Sequence, residues 1–178
     1  MARERFVEIP ALHQTGMYRR EALIEIGGYL TRGPWPPDID FWFRWFEAGL
    51  PIAKLPRVLY RWRQHAGQST RGGGQHDASR LRAAKIDALA RRHAVHGSAP
   101  RAIRLVSTGN TLDTWHAELL AAGLTVTGTH AWRPGAQTPD LPADGELLLA
   151  VYGMPSVRDT LREALGHPTE PDVLLFAA

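Results

Sequence analysis

The sequence predicts an α/β chain divided into two units, and three observations carry that reading. A helical pattern runs into His96-Gly-Ser-Ala-Pro100, where glycine stops a helix and proline forbids its continuation. Composition changes across this break: tryptophan, arginine and proline concentrate before it, and short Val/Leu runs alternate with helical stretches after it. The length, 178 residues with 44% apolar side chains, falls between one generous domain and two small ones. The two units are therefore drawn over 1–97 and 101–178.

In the first unit, 12–18 reads as a strand and 20–26 as a short helix stopped by Gly27-Gly28. Thr31-Arg-Gly-Pro-Trp-Pro-Pro37 is a loop, because its three prolines lack donors and restrict their predecessors. A helix follows over 39–49, with Trp42, Trp45, Phe46 and Gly49 on one face and Asp38 at or just before its N-terminus. Short strands are expected over 51–55 and 58–64. The second alternates Val58, Tyr60 and Trp62 against Leu59, Arg61 and Arg63, which puts His65 at a strand end. Gly72-Gly-Gly74 reads as a flexible loop, and Asp77 as the cap of a helix reaching about His93, striped by Leu81, Ala84, Ala88 and Val95.

The second unit alternates strands over 103–106, 124–127, 146–152 and 173–176 with helices over 112–122 and 156–165. Gly123 and Gly166 close the helices. Strand–helix alternation on this scale predicts a small Rossmann-like parallel layer. The turn after the first strand, Ser107-Thr-Gly-Asn-Thr-Leu-Asp-Thr-Trp115, has a single glycine, so it lacks the tight dinucleotide loop and favours a structural or docking role. Trp115 and His116 are assigned to packing and surface.

Composition excludes several chemistries. With no cysteine, disulfides, thiolate metal sites and thiol nucleophiles are out of reach. No stretch of about 18 apolar residues occurs, and the start, Met1-Ala-Arg-Glu-Arg-Phe6, has no apolar run behind its charges, so the expectation is a cytoplasmic chain with no transmembrane segment. A net charge of +3 does not imply nucleic acid as a partner. Arginines nevertheless cluster between Arg57 and Arg92, a pattern suited to phosphate or anionic lipid, or to a solvated helix face.

At Met17-Tyr-Arg-Arg-Glu-Ala-Leu-Ile-Glu-Ile-Gly-Gly-Tyr29 the chain resembles the acceptor-side half of family-2 glycosyltransferases of GT-A fold. In that family an Arg-Arg-X-X-Leu-X-X-X-Gly-Gly-Tyr stretch leads to a Glu-Asp pair opening a helix. Pro37-Asp38-Ile-Asp-Phe-Trp-Phe-Arg-Trp-Phe-Glu-Ala-Gly49 occupies that place here, and Leu55-Pro56, Tyr60-Arg61, His65 and Ser69-Thr70 follow in order. The match spans roughly 10–72. The second unit resembles, more weakly, the small Rossmann-like domain that some bacterial members carry after the catalytic one, with Val157-Arg-Asp-Thr-Leu-Arg162 keeping its late helix.

The resemblance implies roles for particular residues. Asp38 is the catalytic base that takes the proton of an acceptor hydroxyl during inverting transfer from a nucleotide-sugar; read from the residues alone, it is a helix cap. Asp40 is the fallback base, or an i,i+4 partner of Arg44. His13, Thr15 and Met17 line the acceptor cleft, Trp35 stacks on a sugar face or anchors its loop, and Arg61 and Arg63 neutralise a diphosphate. His65 is a metal ligand for Mn²⁺ or Mg²⁺.

Two departures from the family qualify this. Pro37 replaces the Glu before the base, and the nucleotide-gripping half with its Asp-X-Asp has no room before residue 10. The expectation is thus a truncated GT-A-like half, inactive as an isolated chain, whose partner is a separate donor-half polypeptide or a second copy. A metal enters only with a donor half. The alternative is a non-catalytic binding or scaffolding module that docks or dimerises through the uncovered surface.

Overall fold

The computed structural model describes residues 6–7, 11–68, 77–95, 101–139, 142–143, 145–166 and 173–177. The predicted loop at Gly72-Gly-Gly74, Ser69-Thr70 and the break at 96–100 lie outside them. The chain separates into two compact units, Ile9–Ala88 and Leu89–Ala178, with Phe6–Glu8 belonging to the second and Met1–Arg5 to the first. The division falls inside a helix rather than at 96–100.

The first unit holds a 3-10 turn at His13–Thr15, α1 over Arg20–Glu25, α2 over Pro37–Glu47 and most of α3, Ala78–Val95. α1 stops where Gly27 and Gly28 take φ of 78° and 63°, values that a Cβ makes costly, and the Gly28 amide donates back to the Leu23 carbonyl at 2.8 Å. Pro37 at the first position of α2 has no amide to leave unsatisfied, and Asp38 and Asp40 in the first turn suit the positive end of the helix. α3 starts as expected at Asp77, whose carbonyl accepts from Arg80 and Leu81 while its carboxylate accepts from the Ser79 amide at 3.3 Å.

α2 is the centre of this unit. Phe41, Trp42 and Trp45 form its core, with Tyr18, Leu23, Ile26 and Ile52 packed against them. Burial goes beyond the single face expected: Ile39 through Trp45 are all buried, so the helix is enclosed nearly all round. Its polar groups are satisfied by the irregular chain about it. The Trp42 indole donates to the Ala11 carbonyl at 3.0 Å and that of Trp45 to Pro51 at 3.3 Å. Arg44 binds the Asp40 carboxylate at 2.7 Å and donates to the carbonyls of Ile26 and Gly28, tying the end of α1 to α2.

Three strands expected here do not form. Residues 12–18 hold the 3-10 turn instead, and 51–55 and 58–64 carry neither strand nor helix. Period-two alternation describes a surface that fits a pleat, but a strand exists only when a neighbour supplies the ladder. Among the described residues no neighbour does so for these segments.

The second unit contains β1, Ile103–Ser107; α4, Leu112–Ala121; β2, Val126–Ala131; β3, Leu147–Tyr152; α5, Pro155–Ala164; and β4, Val173–Ala177. They make one four-stranded sheet in the order β2-β1-β3-β4, parallel throughout, with Leu105 beside Leu149 and Leu149 beside Leu174. This is the expected parallel α/β layer. β3 is buried along its whole length and β1 at every position but Arg104, as parallel strands covered on both faces require. Val106, Leu148, Ala150 and Tyr152 pack with Leu161 and Leu165 of the α5 region and with Trp132. By alternation Ile103, Leu105, Leu149 and Val151 face the other way and are equally buried, as are Trp115 and Leu119 of α4. Trp115 therefore packs, as assigned.

Candidate functional site

Asp38 occupies the second position of α2 and is not its cap, which is Pro36 with no side-chain bond. Its Oδ1 accepts from the Ile39 amide at 3.0 Å, one residue on rather than the two or three of a capping bond. Its Oδ2 lies 3.2 Å from Nδ1 of His13, twenty-five residues earlier. The 3-10 turn presents His13 because its hydrogen bonds close locally: the Thr15 amide and hydroxyl both return to the Leu12 carbonyl, at 2.9 and 2.7 Å. The two partners are unequal in exposure, with the imidazole 49% accessible and the carboxylate 16%. His13 is thus the solvent-facing member of the pair, and its Nε2 has no hydrogen-bond partner among the described residues.

Tyr29 flanks the pair. Its ring meets His13 edge-on at 5.8 Å and stacks on Phe41 at 4.4 Å, which ties the imidazole to the aromatic core. Its hydroxyl lies 3.3 Å from that of Tyr18. Burial, and then the hydrogen bond and proximity to Tyr29, push the Tyr18 hydroxyl well above the ordinary tyrosine value, so it stays protonated across the neutral range. Sequence reasoning passed over both tyrosines as contributors; the signal was the Gly27-Gly28-Tyr29 stretch, taken only as a motif.

The remaining candidates are distributed differently. Asp40 is 1% exposed and held by Arg44, so the structural role weighed for it is the one seen. Thr15 spends its hydroxyl on Leu12. Trp35 is buried at 9% exposure, which suits an anchor for the proline loop. Met17 is 97% exposed. Arg61, Arg63 and His65 lie on an irregular, exposed segment, and no hydrogen bond or ion pair among the described residues joins them to Asp38. His65 is placed in a turn, where its amide donates to Gln68 Oε1 at 3.1 Å, not at a strand end.

A metal needs several oxygen or nitrogen ligands converging on one point. Among the described residues no three His, Asp or Glu side chains converge in this way, and His65 does not fit such a site on its own. What the Asp38–His13 pair can do without a metal is hold a proton: a carboxylate that fixes one imidazole nitrogen as a donor leaves the other as an acceptor facing solvent. Among the described residues no helix is long and apolar enough to cross a membrane. Comparison with protein families, with curated proteins and with solved structures returns no match for this chain.

Proposed function

We propose that residues 11–47 form the acceptor-side surface of a sugar-transferring enzyme, with Asp38 as the catalytic base and His13 as its proton-sharing partner. The observation that carries this reading is the 3.2 Å contact between a carboxylate opening a buried helix and a half-exposed imidazole. An acceptor hydroxyl resting on the Asp38 carboxylate gives up its proton to it as the hydroxyl oxygen attacks the anomeric carbon of a nucleotide-sugar and the nucleoside diphosphate leaves. His13, 3.2 Å from Oδ2 of that carboxylate, shares the proton through its Nδ1. Tyr29 steers the imidazole through its ring edge, and the Tyr18 hydroxyl holds Tyr29 in turn. The sugar nucleotide and any Mn²⁺ or Mg²⁺ are held by a donor half from another polypeptide.

The test is release of nucleoside diphosphate from uridine and guanosine diphosphate-sugars, with a divalent cation, by the chain together with the proteins that co-purify with it. Asp38→Asn lowers turnover about 100-fold or more, and His13→Ala lowers it less while shifting the pH profile. Turnover indifferent to both substitutions overturns the reading.

A further inference from the structure

Residues 48–68 contain Lys54, Arg57, Arg61 and Arg63 and no aspartate or glutamate, while the whole chain is only +3. This stretch alone therefore carries a positive charge at least as large as that of the whole chain, with no carboxylate inside it as an offset. All side chains from 53 to 67 are exposed, and the stretch has no helix or strand. Between the cations stand large apolar groups: Val58 is 89% exposed, Leu59 72% and Leu55 66%, with Tyr60 and Trp62 near 40%. A purely solvated loop has no use for five such side chains in eight residues.

The composition of this stretch selects its partner. Lys and Arg at these positions call for negative charge, Tyr60 and Trp62 for a zone that is apolar on one side and wet on the other, and Leu55, Val58 and Leu59 for hydrocarbon. An anionic lipid interface supplies all three at successive depths. A single-stranded nucleic acid would use the arginines and the two aromatic rings but leave the three aliphatic side chains in water. Free phosphate would use the cations alone. We propose that residues 53–65 dock this protein peripherally on a lipid surface rich in anionic headgroups. The inference is independent of the Asp38–His13 chemistry and uses none of its residues.

Co-sedimentation of the full chain with phosphatidylcholine vesicles, with and without phosphatidylserine, tests it. Binding is expected only to the anionic vesicles, weakened by salt, with Trp62 emission shifting to the blue in a way that Trp62→Phe removes. Replacing Arg57, Arg61 and Arg63 together by Gln is expected to weaken partition by about tenfold or more. Val58→Ser with Leu59→Ser abolishes what remains. These side chains are exposed, so circular dichroism should show an unchanged fold. Inorganic phosphate and soluble glycerophosphoserine should compete poorly, since they offer no apolar depth. Equal partition to neutral vesicles, binding untouched by the Val58/Leu59 pair, tighter binding to an oligonucleotide than to anionic vesicles, or a dimer that buries Trp62 without lipid would each overturn the proposal.

Discussion

The two units bury their cores with different materials. Among the described residues the first unit buries three charged side chains, Asp40, Arg44 and Lys85, whereas the polar side chains buried in the second, those of Ser107 and Tyr152 among them, are uncharged and lie inside an otherwise apolar sheet layer. A parallel sheet satisfies its own backbone through the ladder and can be packed with Leu, Ile and Val on both faces. The first unit has no sheet among its described residues. Its loops run past one central helix, and their carbonyls are satisfied by side chains, Arg44 and two indoles above all. Packing thus sustains one unit, and pairing sustains the other.

The sharpest test of that contrast is in the sheet. Trp115→Ala removes a fully buried ring and should cost about 3–5 kcal/mol in denaturant unfolding, with no dependence on pH between 5 and 9. In the helical unit, Arg44→Met should cost about 3–5 kcal/mol because it removes the guanidinium that holds the buried Asp40 carboxylate. The double replacement Asp40→Leu with Arg44→Met should recover part of that loss, and a double-mutant cycle reads the coupling. A simple sum of the single effects would break the pairing half of the comparison.

Lys85 comes next. Burial holds its ammonium at a pKa of about 8, below the ordinary lysine value of 10.5. Between these values the unfolded chain binds more protons than the folded one, so stability should rise as pH goes from 8 to 10.5, by on the order of 3 kcal/mol in all. Below pH 8 the burial penalty is fully present. Lys85→Met should flatten the slope in thermal melts followed against pH.

The smallest effect concerns Glu146, whose pKa is lowered by the Ala143 amide first, then by Thr127 and Arg104. Its contribution is present above pH 4.5 and lost as pH falls through its depressed folded value. Glu146→Gln should lower the neutral stability of the sheet unit slightly and, by the same amount, flatten its loss of stability on acidification.

The contrast also explains what could be read in advance. β1, β3, α4 and α5 fall within a residue or so of expectation, because doubly buried strands are unbroken apolar runs and Gly123 and Gly166 punctuate the helices. β2 was expected over 124–127 and runs over Val126–Ala131, since this edge strand is largely exposed and holds polar residues, while Leu124, the apolar cue, precedes it. Around the site, α1 and α2 were legible from their glycines and aromatic spacing. The turn at His13–Thr15 was not, because a 3-10 turn leaves no periodic signature. Asp38 and His13 could each be nominated, but their meeting across twenty-five residues is a tertiary fact that no local pattern encodes. The alternation over 58–64 misled because it records which side chains share a side and says nothing of a backbone partner.

On the proposed function, the enclosure of α2 would bear on how a substrate is accommodated. A rod with seven consecutive side chains buried, Ile39 to Trp45, has nowhere to roll, so the carboxylate near its tip keeps a constant heading. In the proposed site, adjustment to a bulkier or slimmer guest would then fall to the short coil that carries the half-exposed histidine. Selectivity in such an arrangement would evolve by editing that coil, leaving the tryptophan-studded rod untouched.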